Sequence, residues 1–387
     1  MTEIRRGRLE EHDKILDFIN LVFSMAHRPH NFEYMYPNLY RAEPGYMEHF
    51  YTLWEDGELR CCVLCEPRVL SVGGEKLNVI GIGNVATHHR ALGKGYMTRL
   101  MGQIVEDMKA DGVHLSCLGG KRLRYNHFGY ELAGNCFDLS FSPNDAKAIY
   151  PDFDASAWRF EKVTFEDREM LGSLKRFYEA MPVHYDYDDE HFYYRMEHEG
   201  ANLYAVFGKN GELAGFTAFR AEDGRLGLLE LCAADENRAD IALALALQTE
   251  KPVSFASSEW QVPYLDRIID ISGDLVRTGS SMWSVLSWKE PVRAFLTFKK
   301  SYSDLKKGKL VIGVENGVKI AVEVGEGVSV EYTDDEADIS FDGLRGIRAI
   351  FGAYPHHFFA SGLSGEKLDL ADSWFPLPLC KSGSEAV

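Results

Sequence analysis

Arg90, Gly93 and Gly95 form the pattern Arg-x-x-Gly-x-Gly directly before a predicted amphipathic helix. Glycines let a backbone approach a phosphate closely, and a helix start offers free N–H groups and the positive end of a dipole. Residues 88–124 carry seven Lys and Arg against three Asp and Glu, in a chain whose formal net charge is −17. The pattern therefore predicts a site for a ligand that bears phosphates.

Two common phosphate motifs do not fit this stretch. A dinucleotide fingerprint needs a third glycine three residues after Gly95, where Thr98 stands. A Walker loop needs Ser or Thr directly after its lysine, and Lys94 is followed by Gly95. The ligand is therefore expected to be neither a dinucleotide in a Rossmann site nor a nucleotide in a Walker loop.

The elements around the pattern can be predicted from periodicity. Residues 79–85 resemble a strand, and residues 113–118 resemble the next one. Apolar side chains repeat at helical spacing between them, which predicts a helix with one buried face: Met97, Leu100, Met101, Ile104, Val105 and Met108. Residues 27–51 are rich in aromatic side chains without a clear period, so they form either a loop or short helices lining a pocket, or a packed lid.

Composition excludes several classes of protein. With 42 Lys and Arg against 59 Asp and Glu, the chain is expected to bind neither nucleic acid nor anionic membranes. It has neither a long apolar run nor an apolar signal core in residues 1–6. Seven scattered cysteines predict reduced thiols in a cytoplasmic protein. The Cys62-x-x-Cys65 pair and the histidine pairs lack partners at metal spacing, so we expect no metal site.

Two motifs together carry a family resemblance. The Arg90 to Gly95 pattern resembles the acetyl-CoA motif of the GNAT N-acetyltransferases, and residues 125–131, Tyr-Asn-His-Phe-Gly-Tyr-Glu, resemble their next motif. The layout resembles the Eis-type (enhanced intracellular survival) enzymes. The resemblance implies an α+β fold with two GNAT-like mixed-sheet domains and a sterol-carrier-like α+β domain. We expect these at 1–150, 151–290 and 291–387, with no cofactor motif in the second.

The resemblance also implies roles for particular residues. Tyr125 would be the catalytic acid that protonates the departing thiolate, a role that suits a phenol that remains protonated at neutral pH. Twelve other residues would bind the cosubstrate acetyl-CoA. They lie on the pantetheine-binding strand, in the pyrophosphate loop, at the helix start and after the next strand: Val85, Ala86, Thr87, Arg90, Gly93, Lys94, Gly95, Tyr96, Met97, Thr98, Gly120 and Lys121.

The general base is left open by the sequence. Eis-type enzymes use the carboxylate of their terminal residue, commonly Phe, whereas this chain ends in Val387. The base is then the Val387 carboxylate, Glu385 or a water. The expected activity is direct acetyl transfer to a primary amine of a cationic acceptor, such as a polyamine, an aminoglycoside or a lysine, in a homo-oligomer that by resemblance is a hexamer. The alternative is a non-catalytic acyl-CoA or lipid-binding protein that uses the sterol-carrier-like domain.

Overall fold

The computed structural model describes residues 1–36, 40–315 and 317–385 of the chain, and it confirms the α+β class. Three sheets carry the strands, which are, in chain order, β1 (Thr2–Arg6), β2 (Phe50–Glu55), β3 (Glu58–Val72), β4 (Glu75–Thr87), β5 (Leu115–Leu118), β6 (Glu131–Ala133), β7 (Cys136–Phe141), β8 (Arg159–Lys162), β9 (Val183–Tyr185), β10 (Asn202–Phe207), β11 (Leu213–Glu222), β12 (Arg225–Ala233), β13 (Val253–Ser258), β14 (Asp274–Thr278), β15 (Ser281–Val285), β16 (Gly308–Glu315), β17 (Val318–Val324), β18 (Val328–Tyr332) and β19 (Ile339–Ser340).

Helices cover these sheets. In chain order they are α1 (His12–Ala26), α2 (Phe32–Met35), α3 (Pro44–Met47), α4 (Tyr96–Ala110), α5 (Arg122–Tyr125), α6 (Pro143–Ile149), α7 (Arg168–Glu179), α8 (Asp189–Met196), α9 (Asp235–Thr249), α10 (Val262–Ile269), α11 (Lys289–Tyr302), α12 (Gly343–Phe351), α13 (His356–Phe359) and α14 (Gly365–Trp374). Among the described residues, no helix combines the length and the apolar character needed to cross a membrane.

The first sheet has the order β1-β2-β3-β4-β5-β15-β6, with β9 paired to β3. Alternate side chains of β3 point to opposite faces. Cys62 and Leu64 pack against α1, whereas Cys61, Val63 and Cys65 pack against α4. The two cysteines of the Cys62-x-x-Cys65 pair are therefore buried on opposite faces of the sheet, where they serve as core side chains.

The second sheet has the order β14-β7-β13-β12-β11-β10-β8. The first two sheets exchange strands. β7 lies between two strands of the second sheet, and β15 lies between β5 and β6 of the first sheet. The boundaries between the first two sheets therefore do not fall at residues 150 and 290. β7, which precedes residue 150, belongs to the second sheet, and β15, which precedes residue 290, belongs to the first.

The third sheet has the order β18-β17-β16-β19. Its inner side chains are fully buried, among them Leu310, Ile312 and Val322, and they belong to one hydrophobic cluster with Trp283 of β15 and Trp374 of α14. A single core thus joins the first sheet to the third.

Two cysteines correct the prediction that all thiols are reduced. Cys136 and Cys380 form a disulfide with their Cα atoms 5.7 Å apart. The backbone N–H of Asn135 donates to the carbonyl of Leu379 at 2.7 Å, so the two segments are adjacent. The pair was missed because 244 residues separate it in sequence. Cys61, Cys62, Cys65, Cys117 and Cys232 are free and buried.

Candidate active site

The first sheet opens between β4 and β5. Their parallel pairing covers Val79 to Ile82 on β4 and Leu115 to Leu118 on β5, and β5 ends there while β4 continues to Thr87. The pairing of β4 with β3 is shifted in the same region, because Gly83 pairs with Leu64 and Ala86 with Cys62. This irregularity in the β3–β4 pairing is a β-bulge, which redirects backbone groups of β4 close to the point where β4 and β5 separate.

The glycine loop follows β4 and leads into α4. Gly93 and Gly95 have φ angles of +79° and +74°, a left-handed conformation that glycine adopts at no steric cost. Gly95 is the N-cap of α4, and Leu100, Met101, Ile104 and Met108 bury one face of that helix. The amides of the first turn have no partner within a helix, so they are available to an anion, and the phosphate site predicted from sequence stays a prediction.

A cavity of about 760 Å³ lies between the strand, the loop and α1. The predicted residues that line it come from the end of β4, the glycine loop and the start of α4: Val85, Thr87, Gly93, Gly95, Tyr96, Met97 and Thr98. Phe23 and His27 of the α1 end and Arg124 of α5 line it as well. The structure therefore brings together seven of the twelve residues predicted to bind the cosubstrate.

The other five predicted residues lie outside that lining. Ala86 is completely buried in the core beneath α1, because alternate residues of β4 face opposite sides. The Lys94 ammonium pairs with both carboxylate oxygens of Glu55, at 2.8 and 2.9 Å, and Tyr96 donates to the same carboxylate. Arg90 and Lys121 are exposed, and Gly120 has a φ of +122°.

Tyr125 is 5% exposed and packs among the side chains beneath α4. A Cβ atom on Gly120 would lie 3.1 Å from the Tyr125 ring, so this glycine allows the ring its position. Burial raises the pKa of Tyr125, and the neighbouring Arg124 guanidinium only partly opposes that shift. The phenol is therefore protonated throughout the neutral range, as a proton donor must be.

Sequence reasoning missed the contact that holds the bulge. Asn84 has a φ of +47°, and its side-chain oxygen accepts a hydrogen bond from the Tyr40 hydroxyl at 2.8 Å. Both residues are buried. The aromatic content of residues 27–51 was the available signal, because it indicated a packed segment near the site without naming the residue that reaches β4.

A buried ionic cluster links β3, α8 and the C-terminal segment. The Arg68 guanidinium bonds to Glu66 at 2.7 Å and to Glu385 at 3.2 Å, and Arg195 of α8 also pairs with Glu66. The Glu385 carboxylate is 1% exposed and also accepts hydrogen bonds from Tyr178 at 3.1 Å and Tyr187 at 2.5 Å.

The three donors to Glu385 occupy both of its carboxylate oxygens. Val387, the other carboxylate considered as a base, lies outside the described residues. The identity of the base therefore stays a prediction.

A second cavity, of about 670 Å³, runs along β3 and β4. Its charged lining has more carboxylates than guanidinium groups: Glu43, Glu66, Asp111, Asp186 and Asp188 against Arg41 and Arg68. Asp186 binds Ser71 and Lys76, and Asp188 caps α8 by accepting from the His191 N–H at 2.7 Å. The acidic run of residues 185–191 thus contributes to packing and to this cavity wall.

Comparisons with known proteins agree with this geometry. Residues 3–133 match the family model described as an acetyltransferase (GNAT) domain. This range contains the bulge, the glycine loop, α4 and Tyr125. No curated protein sequence matches the chain.

Several solved structures resemble the whole chain. A probable N-acyltransferase from Enterococcus faecalis is 14% identical with a TM-score of 0.73, covering 99% of both chains. A GCN5-related N-acetyltransferase from Kribbella flavida is 16% identical with a TM-score of 0.69, covering 98% of this chain and 97% of that one. Eis1 from Mycobacterium abscessus is 16% identical with a TM-score of 0.68, covering 99% of both. Residues 3–133 therefore form a GNAT acetyltransferase domain, which supports an acyltransferase, and the whole chain shares its fold with these solved structures.

Proposed function

We propose that the protein transfers the acetyl group of acetyl-CoA to a primary amine of a cationic acceptor. The amine nitrogen forms a bond to the thioester carbonyl carbon and the C–S bond breaks. The amine loses one proton, and the CoA thiolate gains one. The observation that carries the proposal is the cavity where the opened strand, the left-handed glycines and the first turn of α4 meet.

The residues around that cavity suit a CoA thioester. The helix start and the glycine loop supply N–H groups for a pyrophosphate, and Arg124 adds a positive charge to the lining. Val85 and Thr87 belong to the part of β4 beyond its pairing with β5, where backbone groups can bond to a pantetheine amide. Arg90 and Lys121, which the sequence also predicts to bind the cosubstrate, are exposed cations and suit the outer phosphates.

Tyr125 is proposed as the general acid. Its hydroxyl is kept protonated by burial, and transfer of that proton to the departing thiolate disfavours the reverse attack, because a thiol is a weaker nucleophile than a thiolate. For the base, the three donors on Glu385 favour a structural role for its carboxylate, so we propose the Val387 carboxylate or a water instead.

The acceptor is proposed to approach through the second cavity. Its excess of carboxylates over guanidinium groups, within a chain of charge −17, would attract a polyamine, an aminoglycoside or a lysine side chain. This electrostatic attraction should weaken as salt increases.

The test combines binding with turnover. We expect acetyl-CoA to raise the melting temperature, and at least one amine from a panel of polyamines, aminoglycosides and lysine peptides to release CoA. Tyr125→Phe should lower kcat by about 100-fold while the Kd for CoA stays within about twofold of the wild type. A wild type that binds acyl-CoA and lipid but acetylates no amine would instead be the alternative binding protein.

The organisation of the chain is proposed on the same resemblance. We propose a cofactor-binding GNAT unit near 1–150, a second GNAT-like unit near 151–290 without a cofactor motif, and a sterol-carrier-like unit near 291–387, with β7 and β15 exchanged between the first two. The three sheets and the full-length likeness to Eis1 support this division. We further propose a cytoplasmic homo-oligomer, a hexamer by resemblance, which sedimentation equilibrium would test.

A further inference from the structure

Asn84 holds a backbone conformation that needs support. Its φ of +47° lies in the left-handed region, which costs a non-glycine residue free energy unless the surroundings enforce it. Asparagine tolerates this region better than most residues, but its side chain must then find a partner when buried. Asn84 is 7% exposed, and among the described residues the Tyr40 hydroxyl donates to its side-chain oxygen.

Tyr40 is itself fixed on several sides. Its ring contacts those of Phe32, Tyr36 and Tyr46, with centroid distances of 5.6, 6.2 and 6.2 Å. The Tyr36 hydroxyl donates to Glu199 at 2.6 Å, and the Tyr36 ring stacks on His198 at 5.4 Å. Glu199 and His198 follow α8, so the residues that hold Tyr40 extend into the part of the chain that builds the second sheet.

The bulge lies where a thioester carbonyl would be polarised. Asn84 comes two residues after Ile82, where pairing with β5 ends, and directly before Val85, which lines the cavity. Backbone N–H groups in such a stretch are fixed dipoles that require no reorganisation during reaction. Their value depends on their direction, which the left-handed residue sets.

We propose that Tyr40 is a positioning residue for acyl transfer: its hydrogen bond holds Asn84 in the left-handed conformation, and the bulge then directs a backbone N–H of β4 at the donor's carbonyl oxygen. This inference rests on the proposed function. Negative charge develops on that oxygen as the amine nitrogen adds to the carbonyl carbon, and it disappears when the C–S bond breaks. Tyr40 touches neither substrate and acts only through Asn84.

The test uses Tyr40→Phe, Asn84→Ala and Asn84→Gly, with Tyr34→Phe as a matched control. Tyr34 belongs to the same aromatic segment and is 84% exposed. We expect Tyr40→Phe and Asn84→Ala to lower kcat by about tenfold while the Kd for CoA itself stays unchanged. The Kd for the amide analogue of acetyl-CoA, which keeps the carbonyl, should rise. Tyr34→Phe should match the wild type.

Asn84→Gly separates backbone positioning from packing. Glycine adopts the left-handed conformation unaided, so this variant should be more active than Asn84→Ala even though both lose the side-chain bond. Tyr40→Phe should then have no further effect on kcat in the Asn84→Gly background. Melting temperatures of all variants identify any that have not folded.

Two results would overturn the inference. One is a Tyr40→Phe enzyme with the kcat of the wild type, and the other is an Asn84→Gly enzyme no better than Asn84→Ala. Failure of the proposed function would be seen in the wild type, which would then neither bind CoA nor acetylate an amine, and it would remove the inference as well. The two failures are therefore distinguishable.

Discussion

The Tyr187 hydroxyl donates a hydrogen bond to the Glu385 carboxylate at 2.5 Å, across 198 residues of sequence. Tyr187 precedes α8, and Glu385 is the last described residue of the chain. Arg68 of the first sheet contacts the same carboxylate. One side chain thus joins the first sheet, the α8 region and the C-terminal segment.

Glu385→Gln should destabilise the protein. The substitution keeps the shape of the side chain but removes the charge that faces Arg68 in a buried site, which we expect to cost about 1–3 kcal/mol of unfolding free energy. Urea unfolding monitored by fluorescence measures this. Glu326→Gln is the control, because Glu326 forms an ion pair with Lys307 in full solvent and its change should leave stability unaltered. Equal stability of both variants would contradict the prediction.

The same cluster should make stability depend on acid. Burial alone would raise the pKa of Glu66, but the guanidinium groups of Arg195 and Arg68 outweigh it and hold the pKa at about 2, below its usual value of 4.5. A carboxylate with a lowered pKa stabilises the fold fully above the unfolded-state pKa, and this contribution is lost as pH falls through the folded-state pKa. The stability difference between wild type and Glu66→Gln should therefore be constant from pH 7 to 5 and shrink towards pH 2. A difference that grows on acidification would refute this.

Gly95→Ala should weaken the cosubstrate site. A Cβ atom there would meet no atom within 4 Å, so the penalty comes from the φ of +74° alone. Shifting the start of α4 should raise the Kd for CoA by about tenfold, in line with about 1–2 kcal/mol of backbone strain. Gly102→Ala in the same helix also has free space and no positive φ, so it should stabilise the helix by about 0.5–1 kcal/mol and leave CoA affinity unchanged. Equal CoA affinities of the two variants, measured by isothermal titration calorimetry, would contradict this prediction.

Loss of the Cys136–Cys380 disulfide should lower stability by about 2–5 kcal/mol, because the link closes a long loop of the unfolded chain. Adding a dithiol reductant should lower the melting temperature of the wild type but not that of the Cys136→Ser, Cys380→Ser double variant. Peptide mapping without reduction should recover the two cysteines as one linked fragment. Alkylation of both thiols in the unreduced, unfolded protein would show that they are not bonded.

The site was predictable where its signal is local. The Arg90 to Gly95 pattern and the α4 face could be predicted from sequence because glycine conformation and helical periodicity involve neighbouring residues. The Tyr40–Asn84 bond joins residues 44 apart, and the Arg68–Glu385 contact joins residues 317 apart. Neither contact can be inferred from the spacing of residues in the sequence, because the folded topology determines which side chains meet.

The fold, too, could be predicted from sequence only where its signal is local. The mixed α+β class follows from strands and helices that can be identified one at a time. The exchange of β7 and β15 could not be foreseen, because an apolar strand of five or six residues carries no mark of the sheet that it will join.

That exchange sets an order of events during synthesis. The first sheet lacks a strand between β5 and β6 until residues 281–285 have emerged from the ribosome, although β6 ends at Ala133. β7 is synthesised before its partner strands β13 and β14, so it stays unpaired until they follow. A fragment ending near residue 150 would lack β15 in the first sheet and would expose β7 without its partners in the second sheet. We therefore expect the acyltransferase site to form only after the first two sheets have folded together.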